Sequence, residues 1–438
     1  MDQNTQEQQE RREARRKRRV RNQMLAYATV IVLILAVAVG IVFGVRYLTE
    51  ESRKREQEKQ EQMDGLLGQE ENLEEPSTES EETVAELTPQ QKLDEIVNAG
   101  IEVMPLEDKV AGLFIVTPES ITGVSTAIKA GEGTKEALTK YSVGGIVYQT
   151  RNIQSEAQFK EMIDTTKLYA NYPLFIAIED EGGAISPLEE KGLVAKLDGA
   201  KTLGESGDSG KAYEAGSAIG EYLTDYGFNL NFAPVADISS VENSVMADRA
   251  YGSDAATVSP YVSSMVQGLK DRKVSACLKH FPGMGAAAQN TGEGLVSTNR
   301  SIEDFRANEF TVFQAGIDAG ADMVMVSHMA APALTGDNTP CSMSSAVVTD
   351  ILRREMGYDG VIVTDAMDEP NITEYYTADE AAVQALRAGC DMILMPEDFE
   401  KAYNGVLEAV KSGVISEERV NDSLRRIYRI KYADRIQE

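Results

Sequence analysis

Histidine, cysteine and basic charge are all scarce in this chain of 438 residues. Its three cysteines are widely spaced and odd in number, so they predict small buried residues rather than a disulfide framework or a zinc site. The chain has 43 Lys and Arg against 71 Asp and Glu, a net charge of −28. This balance argues against nucleic acid as a partner, because neutralising phosphates requires clustered basic side chains.

Only two histidines occur, His280 and His328, and neither lies in the glycine-rich loop that follows Phe281 and Pro282. The sequence also lacks a Cys/His spacing typical of metal sites and a phosphate-binding loop. Gly283-Met284-Gly285 is a fragment of a dinucleotide-binding pattern without the helix and acidic residue that complete it. We therefore predict no metal and no cofactor.

The N-terminal part departs from the acidic pattern. Residues 11–21 are densely basic, and residues 24–45 are an uncharged run rich in Val, Ile, Leu and Ala. A run of about 20 apolar residues crosses a bilayer as a helix, and this one is longer than the apolar region of a cleaved signal peptide. We predict a transmembrane anchor, with a cleaved signal as the alternative. The positive-inside rule then keeps residues 1–23 in the cytoplasm and places the rest of the protein outside it, at the cell membrane.

Residues 46–92 are polar and mostly acidic, and we interpret them as a solvated stalk because they contain too few apolar residues to fold alone. Residues 93–438 are predicted to form one globular domain. Eight apolar runs of strand length alternate there with amphipathic stretches: Val110–Val116, Val143–Tyr148, Leu174–Ile178, Asn229–Ala233, Val274–Leu278, Met323–Ser327, Gly360–Thr364 and Asp391–Met395. This alternation predicts an α/β fold, a (β/α)8 TIM-like barrel, with a doubly wound open sheet as the alternative.

Polar side chains collect at the predicted strand ends, where barrel enzymes carry their active sites. They are Glu179, Asp180, Lys279, His280, His328 and Asp365, with Arg249 on the loop after the fourth strand. This set suits a polyhydroxylated ligand such as a sugar. Asp365 is a candidate nucleophile toward an anomeric carbon, because the basic residues would keep its carboxylate ionised. The alternative for Asp365 is a helix N-cap.

The segment from about Met104 to Asp398 resembles the barrel of family 3 glycoside hydrolases, especially the single-domain β-N-acetylhexosaminidases that act on peptidoglycan sugars. The resemblance rests on elements in the family's order and spacing: MPLEDKVAGLFIV, IAIEDEGG, GFNLNFAPVADI, DRAYGSD, LKHFPGMG, SHMAAPAL, DGVIVTDAMD and AGCDMILMP. It implies a retaining mechanism through a covalent glycosyl-enzyme, with Asp365 as the nucleophile. It also implies that Arg249, Lys279 and His280 bind the sugar.

The chain departs from the family pattern at the residues that handle the proton. The family's second loop histidine is Met284 here, and its Asp-Ser-His triplet, which supplies the acid/base pair, falls on Asn290, Thr291 and Gly292. The sugar-binding aspartate of the third strand is Glu179, and the following arginine is Ala184. Glu293 is a candidate replacement acid, because many glycosidases use a carboxylic acid for this task. The alternative is an exposed loop glutamate.

Two functions follow. The first is a membrane-anchored glycosidase that removes β-linked N-acetylglucosamine, or a related sugar, from cell-wall glycan. The second is a non-catalytic barrel that keeps the sugar site and senses or tethers the same glycan. We favour the enzyme because a barrel that only binds sugar has less need for a carboxylate at the position of Asp365.

Overall fold

The computed structural model describes residues 87–288 and 296–433 of the chain. Eight parallel strands pair in chain order and close into a barrel, with the first strand bonded to the last. The strands are β1 Phe114–Val116, β2 Gly145–Val147, β3 Phe175–Ile178, β4 Leu230–Asn231, β5 Ser275–Phe281, β6 Met323–Val326, β7 Val361–Ala366 and β8 Met392–Leu394.

Helices connect the strands and cover the outside of the barrel. The α-helices are Pro89–Glu102, Leu106–Ala111, Pro118–Thr122, Glu132–Lys140, Glu156–Tyr169, Pro187–Glu190, Ala200–Glu205, Gly210–Tyr226, Ala255–Asp271, Ile302–Ala307, Glu309–Asp318, Pro332–Thr335, Pro370–Thr373, Ala378–Ala388, Phe399–Lys411 and Glu417–Tyr432. Short 3₁₀ turns lie at Thr150–Asn152, Met284–Ala286 and Cys341–Met343, and Ala346–Glu355 is a π-helix.

The core is continuous from the barrel interior to the helix layer. Every residue of β1, β2, β3 and β6 is buried, as expected for parallel strands covered on both faces. The helices bury one face each; Phe399–Lys411, for example, buries Phe399, Ala402, Val406 and Val410. This packing holds the carboxyl ends of the strands at one rim, where the polar side chains converge.

The structure confirms the predicted barrel, and the doubly wound alternative is wrong. Each of the eight predicted runs overlaps one strand. Three boundaries differ most. β1 begins only at Phe114, because Val110 and Ala111 belong to the preceding helix; β5 continues past Leu278 to Phe281, and β7 continues past Thr364 to Ala366.

The first described helix begins at Pro89, so the predicted stalk, which ends at residue 92, includes its first turn. Thr88 and Gln91 form a capping box that fixes this start. The predicted cytoplasmic segment, the predicted transmembrane helix and most of the predicted stalk lie outside the described residues. Among residues 87–288 and 296–433, no helix combines the length and apolar character needed to span a bilayer.

Candidate active site

A cavity of about 500 Å³ opens at the carboxyl ends of the strands. Its polar lining comes from five parts of the chain: Glu179 follows β3, Arg249 lies on the loop after β4, His280 belongs to β5, Asp365 and Glu369 lie at the end of β7, and residues 149–151, which include Arg151, follow β2. Its volume is within the range of about 300–1,000 Å³ typical of small-molecule sites. The barrel therefore brings together several of the residues predicted from the sequence.

Lys279 is the buried centre of an ion-pair cluster under this cavity. Its Nζ lies 2.6 Å from Glu179 Oε1 and 2.6 Å from Glu181 Oε1. Arg249 adds a two-point contact to Glu181, with its Nε donating to Oε2 at 3.0 Å and its Nη2 donating to Oε1 at 2.5 Å. Glu179 also lies 3.5 Å from the Arg249 guanidinium. The cluster holds Glu179 and Arg249 in the cavity wall in fixed positions.

The charges in this cluster control its protonation. Burial alone would raise the pKa of Glu181, but the positive charges of Lys279 and Arg249 outweigh burial and lower it to about 2. Burial likewise opposes the charge on Lys279, yet Glu179 and Glu181 raise the pKa of its ammonium group above the ordinary value. Glu181, Arg249 and Lys279 are therefore charged at neutral pH, and with their partner Glu179 they form a charged framework. Lys279 acts in it as a fixed cation rather than a proton donor.

His280 lines the cavity, and Asp237 orients it. The imidazole Nδ1 lies 2.7 Å from Asp237 Oδ2, which also accepts from the His280 backbone N–H at 3.2 Å. The other carboxylate oxygen accepts from the backbone N–H groups of Met284 and Gly285. Because a carboxylate accepts hydrogen bonds, Nδ1 carries the hydrogen, which leaves Nε2 for a ligand. Asp237 thus ties the ring to the following loop.

The turn after β5 requires glycine at position 283. Gly283 has a φ of 131°, a backbone conformation that residues other than glycine rarely adopt. A Cβ atom there would lie 2.3 Å from Glu309 Cγ, and Glu309 is itself held by Arg300. This tight turn brings Met284 back to the cavity wall. The position that carries a second histidine in the resembled family is therefore a cavity position here.

Asp365 lies on β7 itself, in the cavity wall, and is half-buried. One carboxylate oxygen accepts from the Ala366 backbone N–H at 2.9 Å. The helix N-cap alternative is wrong, because the next helix starts only at Pro370 and is preceded by Glu369. Asp365 is free of a capping role and presents its carboxylate to the cavity.

Asp180, predicted to bind substrate, instead binds the protein. It is fully buried, and its carboxylate accepts from the Tyr222 hydroxyl at 2.9 Å, the Ser186 hydroxyl at 3.0 Å and the Gly182 N–H at 3.1 Å. Burial raises its pKa to about 6, although these hydrogen bonds work in the opposite direction. Side chains alternate along an extended chain, so the residue between Glu179 and Glu181 points away from the cavity they share.

His328 also differs from its predicted role in substrate binding. It is buried beside the cavity wall, with Nε2 3.0 Å from the Ala366 carbonyl oxygen and Nδ1 2.7 Å from the Ser342 hydroxyl. Because a carbonyl oxygen only accepts, Nε2 carries the hydrogen and Nδ1 accepts from Ser342. Burial lowers the pKa of His328, so the ring is neutral at pH 7. It positions the end of β7 next to Asp365.

Sequence reasoning missed three carboxylates of the site. Glu181 and Asp237 were visible at the ends of the third and fourth strands, but their roles depend on contacts across the barrel. Glu369 enters the cavity through a turn after β7, for which the sequence offers no signal.

The predicted acid Glu293 lies outside the described residues, so its role stays a prediction. Within the described ranges, no group of three or more His, Cys, Asp or Glu residues is arranged to hold a metal ion.

Comparison with known proteins gives the family. The model of the Glycosyl hydrolase family 3 N terminal domain matches residues 105–430. The chain belongs to glycosyl hydrolase family 3. The match spans all eight strands and every cavity residue described above, so this family 3 barrel includes the whole candidate site.

Individual relatives agree with this assignment. Beta-hexosaminidase from Nitrosomonas eutropha is 31% identical over 62% of this chain and 78% of its own length. Beta-hexosaminidase A from Pseudoalteromonas piscicida is 28% identical over 68% of this chain and 54% of its own length. A solved family 3 beta-N-acetylglucosaminidase from Paenibacillus sp. str. FPU-7 superimposes with a TM-score of 0.72 at 34% identity. That match covers 77% of this chain and 64% of the Paenibacillus chain. This chain therefore spans less than two thirds of both the Pseudoalteromonas and the Paenibacillus proteins.

Proposed function

We propose that this family 3 barrel hydrolyses β-linked N-acetylglucosamine, or a related N-acetylhexosamine, from cell-wall glycan, with retention of configuration and Asp365 as the nucleophile. The observation that carries the proposal is one cavity that contains the Asp365 carboxylate together with Glu179 and Arg249, which belong to the charged framework around Lys279. The names of the relatives support the class of sugar.

The geometry explains how the site would hold a sugar. Glu179 and Arg249 present an acceptor and donors in fixed positions, and His280 adds a ring nitrogen whose orientation Asp237 sets. Such charged and neutral groups pair with ring hydroxyls through short, directional hydrogen bonds. Asp365, at the end of β7, would then face the anomeric carbon. Preorganised groups of this kind lower the barrier because little reorganisation is needed during the reaction.

A direct test compares the full-length protein with its Asp365→Asn variant on 4-nitrophenyl β-N-acetylglucosaminide. We expect hydrolysis by the wild type and a loss on the order of 10⁴-fold in kcat/KM for the variant, the scale seen when a covalent catalyst is removed. The Asp254→Asn variant is a matched control, because Asp254 caps the helix Ala255–Asp271 at the surface. Turnover by Asp365→Asn comparable to wild type would contradict the assignment of the nucleophile.

The second candidate function is glycan binding without turnover. It is favoured by the sequence at positions 290–292, where Asn, Thr and Gly replace the family's acid/base triplet. Calorimetry with N-acetylglucosamine oligomers distinguishes the two. Binding accompanied by no hydrolysis, even of the activated aryl glycoside, would support the binder and reject the enzyme.

We also propose that residues 24–45 anchor the protein in the cell membrane, with the barrel on the extracytoplasmic side. The basic cluster at residues 11–21 next to an uncharged apolar run supports this orientation. Protease added to intact spheroplasts should then cleave the barrel but leave the N-terminal segment protected. Protection of the whole chain would contradict this orientation.

A further inference from the structure

We infer that Glu369 is the general acid and base of this site, giving a proton to the leaving oxygen and later taking one from water. The inference deepens the proposed function and depends on it. It assigns the proton transfer to the turn after β7, rather than to the loop after β5 where the resembled family carries its acid/base pair.

The backbone directs Glu369 into the cavity. After β7 ends at Ala366, the chain turns, and the Glu369 N–H donates to the Ala366 carbonyl oxygen at 3.3 Å. Pro370 then starts a short helix, and the Glu369 carbonyl oxygen accepts from the N–H groups of Ile372 and Thr373. Both the start and the end of the turn are therefore fixed. Its glutamate lines the same cavity as Asp365.

Glu369 differs from the other cavity glutamate in what its carboxyl group contacts. Glu179 is committed to Lys279 and Arg249. The Glu369 carboxyl group has no such cationic partner within 4 Å among residues 87–288 and 296–433. Its electrostatic surroundings are instead Asp365 and Asp368 on its own segment, Glu179 after β3, and Arg249, with Arg151 in the same cavity wall acting on Asp368. A carboxyl group crowded by like charges favours its neutral form.

The protonation state fits an acid catalyst. Burial is the main cause that raises the pKa of Glu369, the charges of Asp365, Asp368 and Glu179 add to it, and Arg249 opposes it; the result is about 8. Glu369 therefore carries its proton at neutral pH and loses it as the pH rises through about 8. General acids work best when their pKa lies near the operating pH, so this value suits proton donation to a poor leaving group.

The two carboxyl groups complete a balanced double displacement. In the first step an Asp365 oxygen bonds to the anomeric carbon, the bond to the leaving oxygen breaks with its electron pair, and that oxygen takes the proton of Glu369. In the second step water attacks the anomeric carbon, the bond to Asp365 breaks, and the Glu369 carboxylate takes the proton of that water. Both side chains return to their starting states, and the products are the free sugar and the released alcohol.

The test is kinetic and uses the full-length protein and its Glu369→Gln variant. One substrate is 2,4-dinitrophenyl β-N-acetylglucosaminide, whose leaving group needs no proton, and the other is N,N′-diacetylchitobiose, whose leaving group does. We expect the variant to lose about 10²–10⁴-fold on the disaccharide, the usual contribution of a general acid, and far less in the glycosylation step of the aryl glycoside. The alkaline limb of the wild-type pH profile near pH 8 should disappear in the variant. Azide should accelerate breakdown of the glycosyl-enzyme of the Glu369→Gln variant, because azide attacks the anomeric carbon without the help of a general base.

The matched control is Glu374→Gln, an exposed glutamate on the same segment, which should keep wild-type rates on both substrates. An equal loss on both substrates with an unchanged pH profile would make Glu369 a sugar-binding residue and overturn the inference. So would a leaving-group-dependent loss in Glu293→Gln that is missing from Glu369→Gln. If the wild type hydrolyses neither substrate, the proposed glycosidase function fails. If the wild type hydrolyses both and Glu369→Gln shows no dependence on the leaving group, only the role of Glu369 fails.

Discussion

The two ends of the barrel hold carboxylates in opposite surroundings. At the amino ends of the strands, Asp391 precedes β8 and is fully buried. It accepts from the Ser423 hydroxyl at 2.7 Å and the Ile362 N–H at 3.0 Å, and three arginines lie within 3.6 Å: Arg353, Arg419 and Arg426. This single negative charge is surrounded by positive charge.

At the carboxyl ends, carboxylates outnumber cations. Asp365, Glu369, Glu179 and Asp368 lie close enough to influence one another, and Arg249 and Arg151 only partly offset them. The crowding costs stability and raises the pKa of Glu369. A fold keeps such an arrangement where a ligand uses it, which is why strongly shifted carboxyl groups in a cleft indicate function. The amino end therefore holds the barrel together, while the carboxyl end keeps charge available for a substrate.

Asp391→Asn should have the larger effect of two substitutions that probe this difference, and the effect should be on stability. Removing the charge leaves three partly buried arginines without their common partner, so we expect the free energy of unfolding to fall by about 3 kcal/mol. Hydrolysis per folded molecule should stay close to wild type, since Asp391 lies at the other end of the barrel. Chemical denaturation and initial rates measure the two effects. A large loss of kcat with unchanged stability would contradict a purely structural role.

Asp237→Asn should have a smaller effect, and this effect should be mainly on activity. Asp237 accepts from His280 through one oxygen and from the loop N–H groups through the other, whereas an amide has only one acceptor oxygen and cannot serve both. We therefore expect kcat/KM to fall by about 10–100-fold, the scale known for groups that orient metal-binding histidines. Steady-state kinetics on the aryl glycoside, beside the Asp254→Asn control, provide the measurement. Unchanged kinetics in a folded variant would show that the orientation of His280 does not matter.

The sequence predicted the barrel well because each strand is a buried apolar run bounded by polar residues. It placed β1 too early, since Val110 and Ala111 are as apolar as the strand although they end a helix. Burial on the inside of a helix and burial in a strand give the same composition over so few residues.

The site was predicted in part. Asp365, Arg249, Lys279, His280 and Glu179 meet around one cavity. Asp180 and His328 do not line this cavity and bond to the protein instead, because proximity to a strand end does not determine which way a side chain points. The alternation of Glu179, Asp180 and Glu181 was the one available signal, and it would have excluded Asp180. The position of Glu369 in the cavity could be found only from the structure of the turn after β7. The hydrogen bond of that turn joins residues that form no recognisable sequence pattern.

The central claim is that Asp365 at the carboxyl end of the barrel forms a covalent bond with the sugar. A 5-fluoro-β-N-acetylglucosaminyl fluoride tests it most directly, because its fluorine substituents slow breakdown of the glycosyl-enzyme. Mass spectrometry of the treated full-length protein should show one added sugar, located by peptide mapping at Asp365 and missing from Asp365→Asn. A sugar attached to another residue, or turnover of the reagent with no covalent adduct, would contradict the account.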